Sequence, residues 1–237
     1  AIHASVMSDF SNKLLDIMKD RGLNELKGLK EQIELSDVNS NHNFEIILSQ
    51  QELIAAIKFS VIKNKIDLIV MGTKGATGAQ ELFFGSNTVK VIKKLKLCPM
   101  LIVPDEHDFV VPRQIAFPTD FNHFFSKTEL EPLKQLADMY NAKIRIVHIN
   151  EEEKLDNLQE YNLMVLKSYL FDYEHSFHWM PEYAKKTIEI KDFVTELDIN
   201  MLAMINYKHS FIENMIKEPV IKKIGRQPIV PFLVIPE

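Results

Sequence analysis

Gly72-Thr73-Lys74-Gly75-Ala76-Thr77-Gly78 gathers three of the chain's seven glycines into one short stretch, and Gly85-Ser86-Asn87 follows Gly75 after a nine-residue gap. Glycine permits positive φ and lets backbone N–H groups approach an anion closely. A helix beginning near Thr88 adds the partial positive charge of its N-terminus. Ser86 and Asn87 are residue types that cap such a helix or donate hydrogen bonds to phosphate oxygens. Together with the strand residue Met71 and with Thr73, the set Met71, Gly72, Thr73, Gly75, Gly85, Ser86 and Asn87 is the candidate phosphate-binding group. Its chemistry is anion binding rather than bond making. The sequence has no GxxxxGK[ST], so a lysine–magnesium phosphotransfer loop of the Walker kind is not supported.

Other residues with chemical potential have plainer readings. His175 and His178, three apart on a strand, point to opposite faces and do not share a metal. His3 and His148 sit at matching positions and read as packed, hydrogen-bonded histidines. The single Cys98 precedes Pro99 and an apolar strand, which fits a small buried residue and excludes an internal disulfide. Lys90, Lys93, Lys94 and Lys96 interleave with Val91, Ile92 and Leu95, the pattern of the wet face of an amphipathic helix. Glu151-Glu152-Glu153 reads as a solvated loop or helix start. No nucleophile–base pair is evident, and no metal or catalytic residue is assigned.

The elements that position the loop come twice. Ile66-Asp67-Leu68-Ile69-Val70-Met71 and Ile199-Asn200-Met201-Leu202-Ala203-Met204 are equivalent strands 133 positions apart. Each follows a helical stretch, with Leu53, Ile54, Ile57 and Val61 on one face in the first and Tyr183, Thr187, Ile190 and Val194 in the second. Each copy closes on an apolar strand, Met100-Leu101-Ile102-Val103 and Phe232-Leu233-Val234-Ile235, between prolines. Short apolar strands alternating with amphipathic helices predict an α/β fold with parallel sheets covered on both faces. The linker near Pro104 to Pro112 divides the chain into a first domain over 1–105 and a second over 111–237. The two closing strands are expected to pair the copies as an intramolecular pseudo-dimer, with a homodimer left open.

The copies differ in what they retain. The second opens with the strand Gln114 to Pro118, a Pro118-Thr119-Asp120 turn, a helix through Leu133, Leu136 and Ala137, and the strand Lys143 to Ile149. The first has no such opening. Its Ala1-Ile2-His3-Ala4 matches Ile146-Val147-His148-Ile149, and Phe44 and Ile46 match the strand around Phe177, so one strand and one helix are expected to be missing ahead of Ala1. The second copy has lost four residues between Met204 and Lys222 relative to Met71 and Lys93, and all its loop glycines. Glu213 and Glu218 bring like charge toward any phosphate, and Pro219 lacks an N–H at the helix entrance.

Gly72, Gly75 and Gly85-Ser86 at this spacing, with the Met71-Gly72-Thr73 entry, the Pro118-Thr119-Asp120-Phe121 turn and the Cys98-Pro99 to Pro104 strand, resemble the universal stress protein family. The resemblance extends over essentially the whole chain. It implies two tandem Rossmann-like domains, each with a five-stranded parallel sheet as in the adenine nucleotide alpha hydrolase-like fold, the first lacking its opening strand and helix. It implies ATP or another adenine nucleotide bound over the strand ends by Met71, Gly72, Thr73, Gly75, Gly85, Ser86 and Asn87, magnesium being unspecified. The family's aspartate corresponds to Asp120 and has no counterpart in the first copy. The expected role is stress response through nucleotide-dependent conformation or association, with at most weak ATP hydrolysis. The alternative is an interaction protein that binds no nucleotide.

Composition fits this and removes other classes. With 46% hydrophobic and 26% charged residues the chain can bury a core. A net charge of −5 offers nucleic acid and anionic membranes no general attraction. No segment approaches the ~18 uninterrupted apolar residues of a membrane span, so the expected location is the cytoplasm.

Overall fold

The computed structural model describes residues 2–37, 41–73, 85–104, 107–150, 154–181, 186–207 and 230–237. The chain divides into two compact units, Ala1–Glu52 and Leu53–Glu237. In the first unit a single helix, α1, spans Ile2–Ser36. Residues 42–50 follow without regular secondary structure, and Leu48 returns to within 3.5 Å of where a Cβ on Gly22 would stand. Residues 2–4, expected as a strand, therefore lie in α1, and no strand forms around Phe44 and Ile46. A strand needs a neighbour to pair its backbone groups, whereas α1 satisfies its backbone internally.

The second unit contains α2 (Leu53–Asn64), β1 (Ile69–Gly72), α3 (Ser86–Lys94), β2 (Met100–Val103) and β3 (Gln114–Pro118). It continues with α4 (Lys127–Tyr140), β4 (Lys143–Asn150), α5 (Asn157–Tyr169), β5 (His175–Pro181), α6 (Lys186–Glu196), β6 (Met201–Asn206) and β7 (Phe232–Pro236). The strands form one seven-stranded sheet in the order β1-β2-β7-β6-β3-β4-β5. The second repeat supplies five mutually parallel strands, β7-β6-β3-β4-β5. The first supplies two, β1 and β2, also parallel to each other. The first repeat, expected to form its own sheet lacking only the opening strand, is thus corrected, among the described residues, to a two-stranded contribution to a common sheet.

The repeats meet where their closing strands were expected to pair. β2 and β7 run antiparallel, with Met100 opposite Val234, Leu101 opposite Leu233 and Ile102 opposite Phe232. Since Met100 and Phe232 hold the same place in their repeats, as do Ile102 and Val234, this register is a local two-fold about the Leu101–Leu233 pair.

Alternation along the strands fills two cores. Ile69, Met71, Met100, Ile102, Leu202, Met204, Phe232 and Val234 face α2, α3 and α6, packing with Val91, Ile92, Leu95, Ile190 and Phe193. Leu101, Met201, Ala203, Ile205, Leu233 and Ile235 face the side of α4 and α5, with Leu130, Leu133, Ala137, Leu166 and Leu170. Helix starts are locally encoded: Ser126 with Glu129, and Asp156 with Gln159, form reciprocal capping boxes at α4 and α5.

Candidate functional site at the end of β1

β1 carries Met71 and Gly72 to the carboxyl edge of the sheet, and the Thr73 N–H still donates to the Val103 carbonyl at 3.1 Å. From there the chain returns at Gly85, whose N–H donates to the Thr73 carbonyl at 2.6 Å. α3 starts at Ser86, as the sequence suggested, and buries Val91, Ile92 and Leu95. The Thr88 hydroxyl, buried, donates to the Gly72 carbonyl at 2.9 Å and fastens the first turn of α3 to the strand end. Six of the seven predicted site residues, Met71, Gly72, Thr73, Gly85, Ser86 and Asn87, therefore lie at one place. Gly75 lies outside the described residues.

Two details differ from expectation. Ser86 does not cap α3: Gly85 is the N-cap, with φ −56° and ψ 151°, and no side chain closes the turn. Ser86 and Asn87 are instead the first two helical residues, with exposed side chains. Gly72 does not adopt the left-handed conformation, and a Cβ added there would meet no atom of the described residues within 4 Å. Among the described residues neither backbone strain nor a neighbouring atom demands glycine at 72. A helix N-terminus without a side-chain cap is able to receive an anion. Thr88 was missed in the sequence, where it reads only as a helix residue.

The corresponding end of β6 is built differently. Ile205, buried, stands where β1 has Gly72, and Asn206 where it has Thr73. The Asn206 side chain donates to the Ile92 carbonyl at 3.0 Å, across the junction of the repeats. Lys96 reaches the Asn206 carbonyl at 3.1 Å and the Glu237 carboxylate at 3.2 Å. The Tyr207 ring stacks on His123 at 4.1 Å, and its hydroxyl donates to the Phe124 carbonyl at 3.1 Å. Burial, then the charges of Glu129, Glu237 and Asp120, push the Tyr207 hydroxyl well above its ordinary value. Asp120 is exposed and accepts the Asn122 N–H at 2.9 Å in its own turn. The Glu213, Glu218 and Pro219 positions lie outside the described residues, as does Glu151-Glu152-Glu153.

The other candidates are structural. His148 is buried, its Nδ1 2.9 Å from the Thr119 carbonyl and its ring stacked on Phe121. His175 meets Phe177 and His178 meets Phe193, on opposite faces of β5. Cys98 is buried, and burial followed by the Asp67 charge raises its thiol pKa, which lowers its reactivity. One hydroxyl–imidazole pair escaped the sequence reading: Ser176 Oγ lies 2.7 Å from His178 Nε2. Arg145 donates to the same oxygen at 2.7 Å and to Gln114 at 2.8 Å. Burial and the Arg145 charge lower the His178 pKa. This polar chain crosses β3, β4 and β5 beneath α6, away from the carboxyl ends of the strands, and ties the sheet together.

Residues 6–104 match the model of the Universal stress protein family. Universal stress protein MJ0531 of Methanocaldococcus jannaschii is 33% identical over 88 residues, 37% of this chain and 49% of that protein. The chain thus spans about half the length of the curated relative it matches. A universal stress protein from Archaeoglobus fulgidus shares the fold with a TM-score of 0.64 at 20% identity, over 94% of this chain and 78% of that one. A functionally unknown protein from Pseudomonas aeruginosa PAO1 does so with a TM-score of 0.53 at 11% identity, over 92% and 78%. These findings support the universal stress protein family and its α/β fold with a mostly parallel sheet. Among the described residues, no helix is long and apolar enough to cross a membrane.

Proposed function

We infer that the chain is a universal stress protein of tandem organisation, with domains over 1–105 and 111–237, whose first repeat binds an adenine nucleotide such as ATP at the end of β1. The observation that carries this reading is the closure of Gly85 onto Thr73 at 2.6 Å, with Thr88 bound to the Gly72 carbonyl, which sets the uncapped first turn of α3 beside Gly72. Backbone donors, a helix N-terminus and exposed Ser86 and Asn87 side chains suit phosphate. Met71, Gly72, Thr73, Gly75, Gly85, Ser86 and Asn87 are the proposed contacts. The output is nucleotide-dependent conformation or association of a cytoplasmic protein. Isothermal titration with ATP, ADP and GTP tests it: saturable heat with an adenine nucleotide that Gly85→Val removes is expected, and no heat at millimolar ATP overturns it.

A second reading, an interaction protein that binds no nucleotide, draws on the antiparallel union of β2 with β7. It treats the repeats as a built-in pair whose surface, not its ligand, does the work. It predicts the same melting behaviour with and without nucleotide.

A further inference from the structure

Thr73 follows β1 and Asn206 ends β6, at equivalent places in the two repeats, and both take hold of the same helix. At the start of α3 the Thr73 carbonyl accepts the Gly85 N–H at 2.6 Å. Near its end the buried Asn206 side-chain amide donates to the Ile92 carbonyl at 3.0 Å. Carbonyls in the last turn of a helix run out of helical donors, so a buried one needs a donor from elsewhere. α3 ends at Lys94, the Leu95 N–H serves the Val91 carbonyl, and the second repeat serves that of Ile92.

Asn206 is gripped in return. Its backbone carbonyl accepts the Lys96 ammonium at 3.1 Å, and the same ammonium meets the Glu237 carboxylate at 3.2 Å. The apolar side of α3 also lies against the second repeat, since Val91, Ile92 and Leu95 share a core with Leu202, Met204, Phe232 and Val234. The Thr88 hydroxyl on the Gly72 carbonyl is one polar fixed point of the helix; Asn206 on Ile92 is another, at the opposite end. A helix of nine residues is a stiff rod about 14 Å long, so fixing its far end fixes where its near end points.

We propose that Asn206 is a positioning residue for the anion site at the end of β1. By holding the last turn of α3, the second repeat aims the first turn, with the Ser86 and Asn87 positions, at the place beside Gly72 where phosphate binds, and the first repeat's site is complete only with the second repeat behind it. The filled end of β6 thereby has a task, because the residue that stands where a loop threonine stood carries the amide. The proposal rests on the nucleotide reading for its ligand but not for its mechanics.

The test pairs amide exchange in the free chain with calorimetric titration of ATP. Asn206→Leu keeps the volume and removes the donor. It is expected to speed exchange at Gly85 and Val89, whose N–H groups donate to the Thr73 and Gly85 carbonyls, about tenfold or more relative to Ile144 in β4. The same variant is expected to weaken ATP binding about tenfold, whereas Ile146→Val, which loosens the core on the other face of the sheet, leaves it unchanged. Lys96→Met, at the half-exposed rim of the contact, is expected to act as Asn206→Leu does, by a smaller factor. Equal acceleration at Gly85, Val89 and Ile144, or none, overturns the proposal, as does ATP affinity unchanged in both Asn206→Leu and Lys96→Met. No heat with ATP in the unaltered chain overturns the nucleotide reading instead, and the exchange comparison then decides the role of Asn206 by itself.

Discussion

β1 and β6 start from nearly interchangeable apolar sequences and end in opposite environments. β1 ends in Gly72 with Thr73 after it, and their carbonyls are taken by Thr88 and Gly85, while no atom of the described residues crowds the position of a Cβ on Gly72. β6 ends in Ile205 and Asn206, both buried, and then comes Tyr207 stacked on His123. The strand sets where a ligand could lie; the two or three residues after it set whether there is room. Small residues and a helix start keep one end receptive, while aromatic packing and a side-chain amide fill the other.

The sharpest way to break the comparison is to truncate equivalent residues. Ile199→Ala, in the packed core, is expected to cost about 2–5 kcal/mol. Ile66→Ala, half in water, is expected to cost about 1 kcal/mol or less. Urea midpoints measure both, and equal losses would mean that the two strands are buried alike. Next in size is Thr88→Val, which keeps the shape of α3 but leaves the Gly72 carbonyl without its donor; a loss of about 1–3 kcal/mol is expected in the same assay.

Much of this was legible in the sequence. The 133-residue repeat located β1 and β6, and the apolar 100–103 and 232–235 runs, each bounded by prolines, foretold the β2–β7 pairing. Residue type and spacing suffice there because hydrophobic period and turn chemistry are local. The strands expected at residues 1–4 and around 44–46 did not form, because a strand depends on a neighbour whose presence no local pattern reports. Thr88, Tyr207 and the Ser176–His178 contact were illegible for a related reason: their partners Gly72, His123 and Arg145 are brought to them by the fold.

The filled end of β6 has a pH signature of its own. Burial and nearby carboxylates raise the Tyr207 pKa above the ~10 of an unfolded tyrosine, so folding favours the protonated phenol. The associated stability is complete below about pH 10 and is lost as pH rises beyond it. Tyr207→Phe is expected to flatten that alkaline decline in melting temperature. An unchanged decline would place its origin in other groups and remove Tyr207 as the plug of the second repeat.

The smallest expected effect on stability bears most directly on the first repeat. Ser86 is the first residue of α3, exposed, and makes no cap, since Gly85 occupies that position without a side-chain bond. Ser86→Ala therefore removes no cap and is expected to change stability by less than about 0.5 kcal/mol, in contrast to the roughly 0.5–2 kcal/mol of a lost cap. If the hydroxyl meets a phosphate oxygen, the variant instead loses part of the rise in melting temperature that ATP produces. Melting curves with and without ATP separate the cases. A drop in the free protein would restore the capping role, and an unchanged ATP increment would remove Ser86 from the nucleotide site while leaving the backbone groups around Gly72 and Gly85 as its donors.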